Sequence, residues 1–319
     1  KILIGGSFTQ LSGQAQTNIA RLNANGSLDS TFKPLANNWV LALALQSDGK
    51  ILLGGLFTTL NGQPCQGIGR LNADGTLDAE FHPQPNAPIL SIQLQADGKI
   101  LVGGTFTTIG GLPRVRVARL NTDGTADADY ALPGGANNSV NSIMLEPDGK
   151  LMVGGYFDTL GGLGCKYLGR LSSTEAALQN LSVNASGSVV AWQRSGSSPE
   201  VWRTTFEYSS DGTTWTSLGA GTRVAGGWQL GGLALPFQQN FYLRARGYAT
   251  CGLFNGSCSI CESVRLFYLA PLPIYPVPAD FDGDGLADPT VYDARTGGWR
   301  VRLSAAGYHL VNAVNFLGG

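Results

Sequence analysis

Asp280, Asp282, Asp284 and Asp288 stand at positions 1, 3, 5 and 9 of the stretch DFDGDGLAD, residues 280–288. Alternate carboxylates on a short turn bring hard oxygen ligands to one point, and Ca²⁺ accepts about six to eight of them. Gly285 at position 6 permits the sharp bend such a loop needs, and Leu286 at position 7 offers a backbone carbonyl. Without a cation, four carboxylates this close repel one another. The expected chemistry is Ca²⁺ binding by Asp280, Asp282, Asp284, Leu286 and Asp288, at an affinity of ~10⁻⁴–10⁻³ M. A site of that strength fills outside cells and stays mostly empty in cytosol. The competing reading is a solvated acidic turn. The register of the four aspartates and the placed glycine favour calcium.

Other chemistry is sparse. Histidine is the usual general base, and there are two, His82 and His309, neither beside a recognisable Ser, Cys or Asp partner. No GxSxG and no GxxxxGK[ST] occurs. Paired carboxylates could be drawn from Glu80, Glu146, Glu200, Glu207 and Glu262, with nothing in the sequence to choose among them. The expectation is a protein without catalytic activity. Cys65 and Cys165 occupy equivalent points of two repeated segments, while Cys251, Cys258 and Cys261 cluster. Three thiols without a fourth Cys or His nearby fall short of a structural zinc site. Glu262 stands where covalent haem attachment needs His. A loop disulfide among Cys251, Cys258 and Cys261, using Cys251, is the expected arrangement in an exported protein.

The elements that carry these residues are repetitive. QSDGKILLGGLFTTLNG (46–62), QADGKILVGGTFTTIGG (95–111) and EPDGKLMVGGYFDTLGG (146–162) are versions of one phrase, and the chain opens on KILIGGSFTQLSG. Units start at Lys1, Lys50, Lys99 and Lys150. In each, an Arg follows the second Gly of the GG pair by 15 residues: Arg21, Arg70, Arg119 and Arg170. Apolar runs broken by Asp-Gly pairs predict short strands joined by tight turns. The GG pair predicts a bulge or a close backbone approach. About four strands in about 50 residues is the size of a propeller blade. One such unit cannot bury its own faces and must stack on neighbours.

The repeated DGKILVGG-F-T and ARLN-DG--D resemble the delta-sixty family of β-propeller repeats, found in large secreted or surface proteins of bacteria. The resemblance covers 1–171 and implies a fold without an established chemistry. It gives three full units and the start of a fourth, because SSTEAALQ replaces the LN-DG--D signature after Leu171. Three and a half blades do not close a ring comfortably, so further repeats are expected upstream of Lys1. The turn Asn72–Asp78 also resembles the later part of a calcium loop. Arg70 stands where a first carboxylate would be needed, which favours a simple turn.

From about residue 174 the repeat is lost. VWRTTFEYSSDGTTWTSLG and FYLRARGYAT alternate apolar and polar residues around Asp211-Gly212, which predicts a β-sandwich over 174–270. FEYSSDGTTWTSLG and LALPFQQNFYLRARGY resemble fibronectin type III domains of the immunoglobulin-like class. APLPIYPVPAD predicts a stiff extended linker at 271–278. PTVYD and WRVRL, after the aspartate loop, predict a hairpin. Val291 at position 12, in place of Glu, separates the loop from helix–loop–helix calcium sites. With its strands, 279–319 resembles the FG-GAP or VCBS-type calcium repeats of extracellular proteins.

The predicted fold is therefore all-β: partial β-propeller repeats at 1–173, the sandwich, and a small calcium-loop module. Charged residues make up only 13% of the 319, and Lys+Arg 21 against Asp+Glu 22 leaves a net charge of −1. Nucleic acid and anionic membranes need a stronger positive field than this. No apolar run reaches the ~20 residues of a membrane helix. The expected protein is a non-catalytic, calcium-stabilised structural or adhesive protein of a bacterial cell surface, with itself, surface proteins or glycans as partners, self-assembly into fibres included. The alternatives are a carbohydrate- or protein-binding module, with Trp39, Trp228 and Trp299 as exposed aromatics, and an accessory region of a larger secreted hydrolase.

Overall fold

The computed structural model describes residues 1–173, 175–249 and 260–270. Beyond these it describes the backbone of four strands, Ile274–Pro276, Thr290–Asp293, Gly298–Leu303 and His309–Asn312. Every regular element among the described residues is a β-strand.

Each repeat is a small antiparallel sheet. In the second unit Val40–Leu45, Ile51–Gly55 and Ile68–Leu71 pair in that order. Ile89–Leu94, Ile100–Gly104 and Val117–Leu120 do the same in the third, and Val140–Leu145, Leu151–Gly155 and Leu168–Leu171 in the fourth. In the first unit Ile2–Gly5 pairs with Ile19–Leu22. A two-residue hairpin, such as Thr59–Leu60 with Gln63–Pro64, sits between the last two strands of each unit. An isolated bridge, Leu71 to Leu77, closes the Asp-Gly turn that follows. The fourth strand expected of a unit is reduced to this bridge.

The glycine pair has two separate duties. A Cβ on the second glycine, Gly55, Gly104 or Gly155, would collide with the carbonyl of Trp39, Pro88 or Ser139. Those carbonyls lie where the facing strand slips register, between Val40 and Ala42, Ile89 and Ser91, and Val140 and Ser142. This is the bulge the sequence predicts. The first glycine faces the next unit. A Cβ on Gly5 or Gly103 would stand 2.7 Å from Val40 or Val140, and one on Gly54 would stand 3.1 Å from Ile89. Removing the side chain lets successive sheets approach closely. Gly154 of the fourth unit has no such neighbour, its nearest being the Tyr167 carbonyl at 3.8 Å. Tyr156, Leu163, Tyr167 and Leu168 are exposed on that unit.

Burial follows the repeat. Phe57, Phe106 and Phe157, one residue past each GGx, are fully buried, and the first strands of units two and three share a core with Leu52, Ile100 and Phe106. The sandwich has two four-stranded antiparallel sheets. One runs Ala177–Val183, Val190–Gly196, Gly227–Leu230, Thr222–Val224. The other runs Thr216–Ala220, Arg203–Ser209, Asn240–Tyr248, Ile260–Tyr268. Trp192, Phe206, Phe241 and Leu243 fill the space between them. The predicted turn at Asp211 is held by its carboxylate, which accepts from the amides of Thr213 (2.7 Å) and Thr214 (2.8 Å).

Repeats and sandwich are hydrogen-bonded to each other. Ala96 N donates to the Ser198 carbonyl (2.7 Å), and Glu200 N donates to the Leu94 carbonyl (2.8 Å). Segment 198–200 thus pairs antiparallel beside the end of the first strand of the third unit, through the bridge of Gln95 to Pro199. In the C-terminal sheet Thr290–Asp293 and Gly298–Leu303 form the expected hairpin. Ile274–Pro276, predicted as linker, pairs instead with Thr290–Asp293 as an edge strand. An edge position tolerates proline because no partner strand needs its missing amide hydrogen.

Candidate functional site

In the first three units the repeated Lys and Arg meet one aspartate. In the second unit Asp78 accepts from Lys50 Nζ and Arg70 Nε, both at 2.7 Å. In the third, Asp127 accepts from Lys99 (2.9 Å) and Arg119 (2.8 Å). In the first, Asp29 pairs with Lys1 and with Arg21 (2.8 Å). The strands fix this meeting. Lys precedes the GG strand, Arg lies on the strand paired to it, and Asp follows the Asp-Gly turn.

Each arginine does more than pair. Its guanidinium lies over an aromatic ring of its own unit, Arg21 on Phe32 (4.2 Å), Arg70 on Phe81 (4.4 Å) and Arg119 on Tyr130 (4.7 Å). Its Nη1 then reaches the following unit. Arg21 donates to the Ala73 carbonyl (2.5 Å) and Arg70 to the Thr122 carbonyl (2.6 Å), both in Asp-Gly turns. The turn glycine packs on the previous ring, Gly75 on Phe32 and Gly124 on Phe81. Lys, Asp, Arg and ring therefore form a staple that joins one unit to the next.

Electrostatics agree with that role. Hydrogen bonding from Lys1, then from Thr31, holds the Asp29 carboxyl well below its ordinary range. Burial raises Asp78 and Asp127, but their Lys and Arg partners outweigh it and the net direction is down. All three are ionised in neutral solution and fully engaged. The turn Asn72–Asp78 is the simple turn, not the calcium loop: Asp74 accepts from Thr76 N (2.9 Å) and Thr76 Oγ1 (2.7 Å), and Asp78 is taken by the staple.

The third staple crosses into the next part of the chain. Where the Asp-Gly turn of a fourth unit would stand, Glu175 takes both Arg119 Nη1 and Nη2 at 2.8 Å. In the fourth unit position 178 is Leu, not Asp. Arg170 and Lys150 turn outward to Glu146 and Asp148.

The other residues singled out from the sequence scatter. Asp280, Asp282, Asp284, Leu286 and Asp288 lie outside the described residues, between two strands that pair with each other. No cluster of three metal-ligating side chains occurs among the described residues. Cys251 and Cys258 also lie outside them. Cys261 is a buried free thiol, not one half of a bridge. Cys65 and Cys165 are free, and each donates to a carbonyl three residues on, Ile68 (3.1 Å) and Leu168 (2.8 Å).

His82 and Glu80 are exposed. Glu146 pairs with Arg170, Glu200 with Arg223, and Glu207 and Glu262 share Arg244 and Arg246. Trp39 is exposed as expected. Trp228, expected on the surface, is buried, because strand alternation turns it inward opposite Trp192. The side chains of Trp299 and His309 lie outside the described set. An asparagine 21 residues before the turn after each GG pair escaped the sequence reading. Asn37 Oδ1 accepts from Thr58 N (2.8 Å) and Thr59 N (3.0 Å), and Asn86 and Asn137 repeat the contact. Its recurrence at the repeat period was the available signal.

A cleft of about 450 Å³ lies where the repeats meet the sandwich. Ser47, Asp48 and Ala96 form one wall, and Arg194, Glu200, Arg223 and the Val224–Trp228 hairpin form the other. Within it Arg223 holds Glu200 through Nη1–Oε1 (2.5 Å) and Nη2–Oε2 (3.0 Å).

No curated protein and no solved structure matches the chain. Residues 1–32, 46–81, 95–130 and 146–174 match a family described as a domain of unknown function (DUF5122) beta-propeller. These four segments coincide with the four repeat units, so the N-terminal region is built of repeats similar to that β-propeller domain.

Proposed function

We propose that this is a non-catalytic scaffold protein of the bacterial cell surface, extracellular, stabilised by calcium and serving attachment or assembly. One observation carries the reading. The arginine that recurs in every full unit, held by that unit's Lys–Asp pair, joins the unit to its neighbour, and in the third it joins the repeats to the segment that leads into the sandwich. Residues kept for mechanical continuity suit a load-bearing module. The aspartate loop at 280–288 supports the calcium part of the reading, and the resemblance of the repeats to those of bacterial surface proteins supports the location.

The test is made on producing cells. Antibodies against the sandwich are expected to label intact cells, and deletion of the gene is expected to reduce attachment or matrix assembly in millimolar calcium. Antigen confined to the cell interior, or attachment unchanged by deletion, refutes the proposal. A second reading, a ligand-binding module, is favoured by the cleft between repeats and sandwich.

A further inference from the structure

Arg194 is a buried charge without an ion-pair partner among the described residues. It sits on the inward side of Val190–Gly196, only 4% exposed, with its guanidinium over the Trp192 ring at 4.5 Å. Its Nε, Nη1 and Nη2 have no oxygen acceptor among the described residues, the thiol of Cys261 being the one weak acceptor that faces them. The indole nitrogen of Trp192 lacks an acceptor too. An isolated buried charge is expensive, and proteins normally pair it. Of the other buried arginines, Arg70 and Arg119 each hold an aspartate, and Arg114 donates to the carbonyls of Pro113, Asp127 and Ala128.

The neighbouring groups do not supply the missing charge. Glu200 is held bidentately by Arg223 and also accepts from Val201 N (2.9 Å), so both of its oxygens are taken by other donors. Cys261 faces Arg194, but burial lifts its thiol above the ordinary value more than Arg194 lowers it, so it stays neutral at pH 7. Asp48 lies across the cleft, exposed, with Oδ1 accepting from Lys50 N (3.0 Å) and no ion pair to Arg194. Arg194 thus lines a cleft with room for more than a water molecule, its guanidinium nitrogens set just beneath the wall. Clefts of roughly 300–1,000 Å³ hold small organic ligands. The hairpin wall is low, being Ala225-Gly226-Gly227, and Trp228 adds an aromatic surface.

We propose that Arg194 is the anion-binding group of a ligand site between the repeats and the sandwich, taking the carboxylate of a molecule of about monosaccharide size. A guanidinium matches a carboxylate through two parallel hydrogen bonds. Burial and the Trp192 ring beneath it hold the guanidinium in place, so little is lost in ordering it when ligand enters. This site is independent of the scaffold reading and would add recognition to it.

The test is titration of the full chain with D-glucuronate and, separately, N-acetylglycine at constant ionic strength. Tryptophan fluorescence and calorimetry are the readouts, with D-glucose and sodium chloride as controls. Saturable binding of either carboxylate, with no response to the controls, is expected. Preference for glucuronate identifies a saccharide source, and equal binding identifies recognition of the carboxylate alone. Arg194→Met is expected to weaken binding by about tenfold or more, while Cys261→Ser retains it and Asp48→Asn retains or tightens it. Melting of Arg194→Met is expected to be unchanged or raised, because the variant removes an unpaired charge. No saturable binding of either carboxylate to the wild-type chain overturns the proposal, whatever the variants do. So does binding that survives in a folded Arg194→Met protein.

Discussion

Arg119 and Glu175 are joined by two parallel N–H···O bonds of 2.8 Å, Nη1 to Oε2 and Nη2 to Oε1. The arginine is 3% exposed and the glutamate 35%, so the pair is closed on one side and wet on the other. Arg21 and Arg70 use the same Nη1 on a turn carbonyl of the next repeat. Glu175 therefore replaces a missing turn and lets the array end on a sandwich without leaving a buried guanidinium half satisfied.

Replacing Glu175 with Ala removes both bonds and the Lys99 contact at 3.4 Å. A loss of about 2 kcal/mol in urea unfolding is expected. Protection against hydrogen exchange should fall at the amides of Ala96 and Glu200, which cross the same junction. A variant with wild-type stability and wild-type protection at those amides would show that the junction is held by its backbone bonds alone.

Arg70→Ala and Arg170→Ala form a matched pair at equivalent positions of two units. Arg70 is 8% exposed, pairs with Asp78, covers Phe81 and reaches Thr122. Removing it leaves the buried Asp78 carboxylate with Lys50 alone and uncovers the Phe81 ring, with an expected cost of about 3 kcal/mol. Arg170 is 52% exposed and pairs at the surface with Glu146. Its removal should cost under about 1 kcal/mol. Chemical denaturation of both variants checks the contrast, and equal losses would remove the inter-unit role from the staple.

Most of this architecture was legible because the chain repeats its own phrase. The Asp-Gly turns, the bulge at the GG pair and the fixed Gly-to-Arg spacing all appear as predicted. What the arginine does was not legible, because its partners lie 8 and 52 residues away and one of them is a backbone carbonyl without side-chain identity. Arg194 was invisible for a related reason. Alternation marks it as one more polar residue in a strand, and only burial without an oxygen acceptor sets it apart. The single-bridge remnant of a fourth strand and the inward Trp228 likewise depend on sheet pairing, which a period of two does not specify.

The glycines yield a graded series. Gly104→Ala drives a methyl into the Pro88 carbonyl, a backbone atom that cannot step aside. Gly103→Ala meets the Val140 side chain, fully buried at the next unit. Gly154→Ala meets only atoms at 3.8 Å and beyond. Overpacking costs roughly 1–3 kcal/mol, so thermal melting should rank Gly104→Ala below Gly103→Ala, with Gly154→Ala near wild type. A destabilised Gly154→Ala would mean that the fourth unit is covered in solution.

Acid should act first on the staples. Asp78 and Asp127 have folded pKa values below the unfolded aspartate value of about 3.9, the pull of their Lys and Arg partners exceeding the upward push of burial. The folded state therefore binds fewer protons than the unfolded one in this range, and stability rises with pH there. The contribution is complete above about pH 4 and disappears as pH falls through the folded values. Asp97 works in the opposite sense, since burial raises it, and it offsets a part of the effect. Melting temperature is thus expected to be flat through neutral pH and to drop steeply below about pH 4. In Asp78→Asn the plateau should be lower and the acid drop shallower, because one of the titrating staples is already open. A variant that keeps the full acid drop would place the acid-sensitive groups elsewhere.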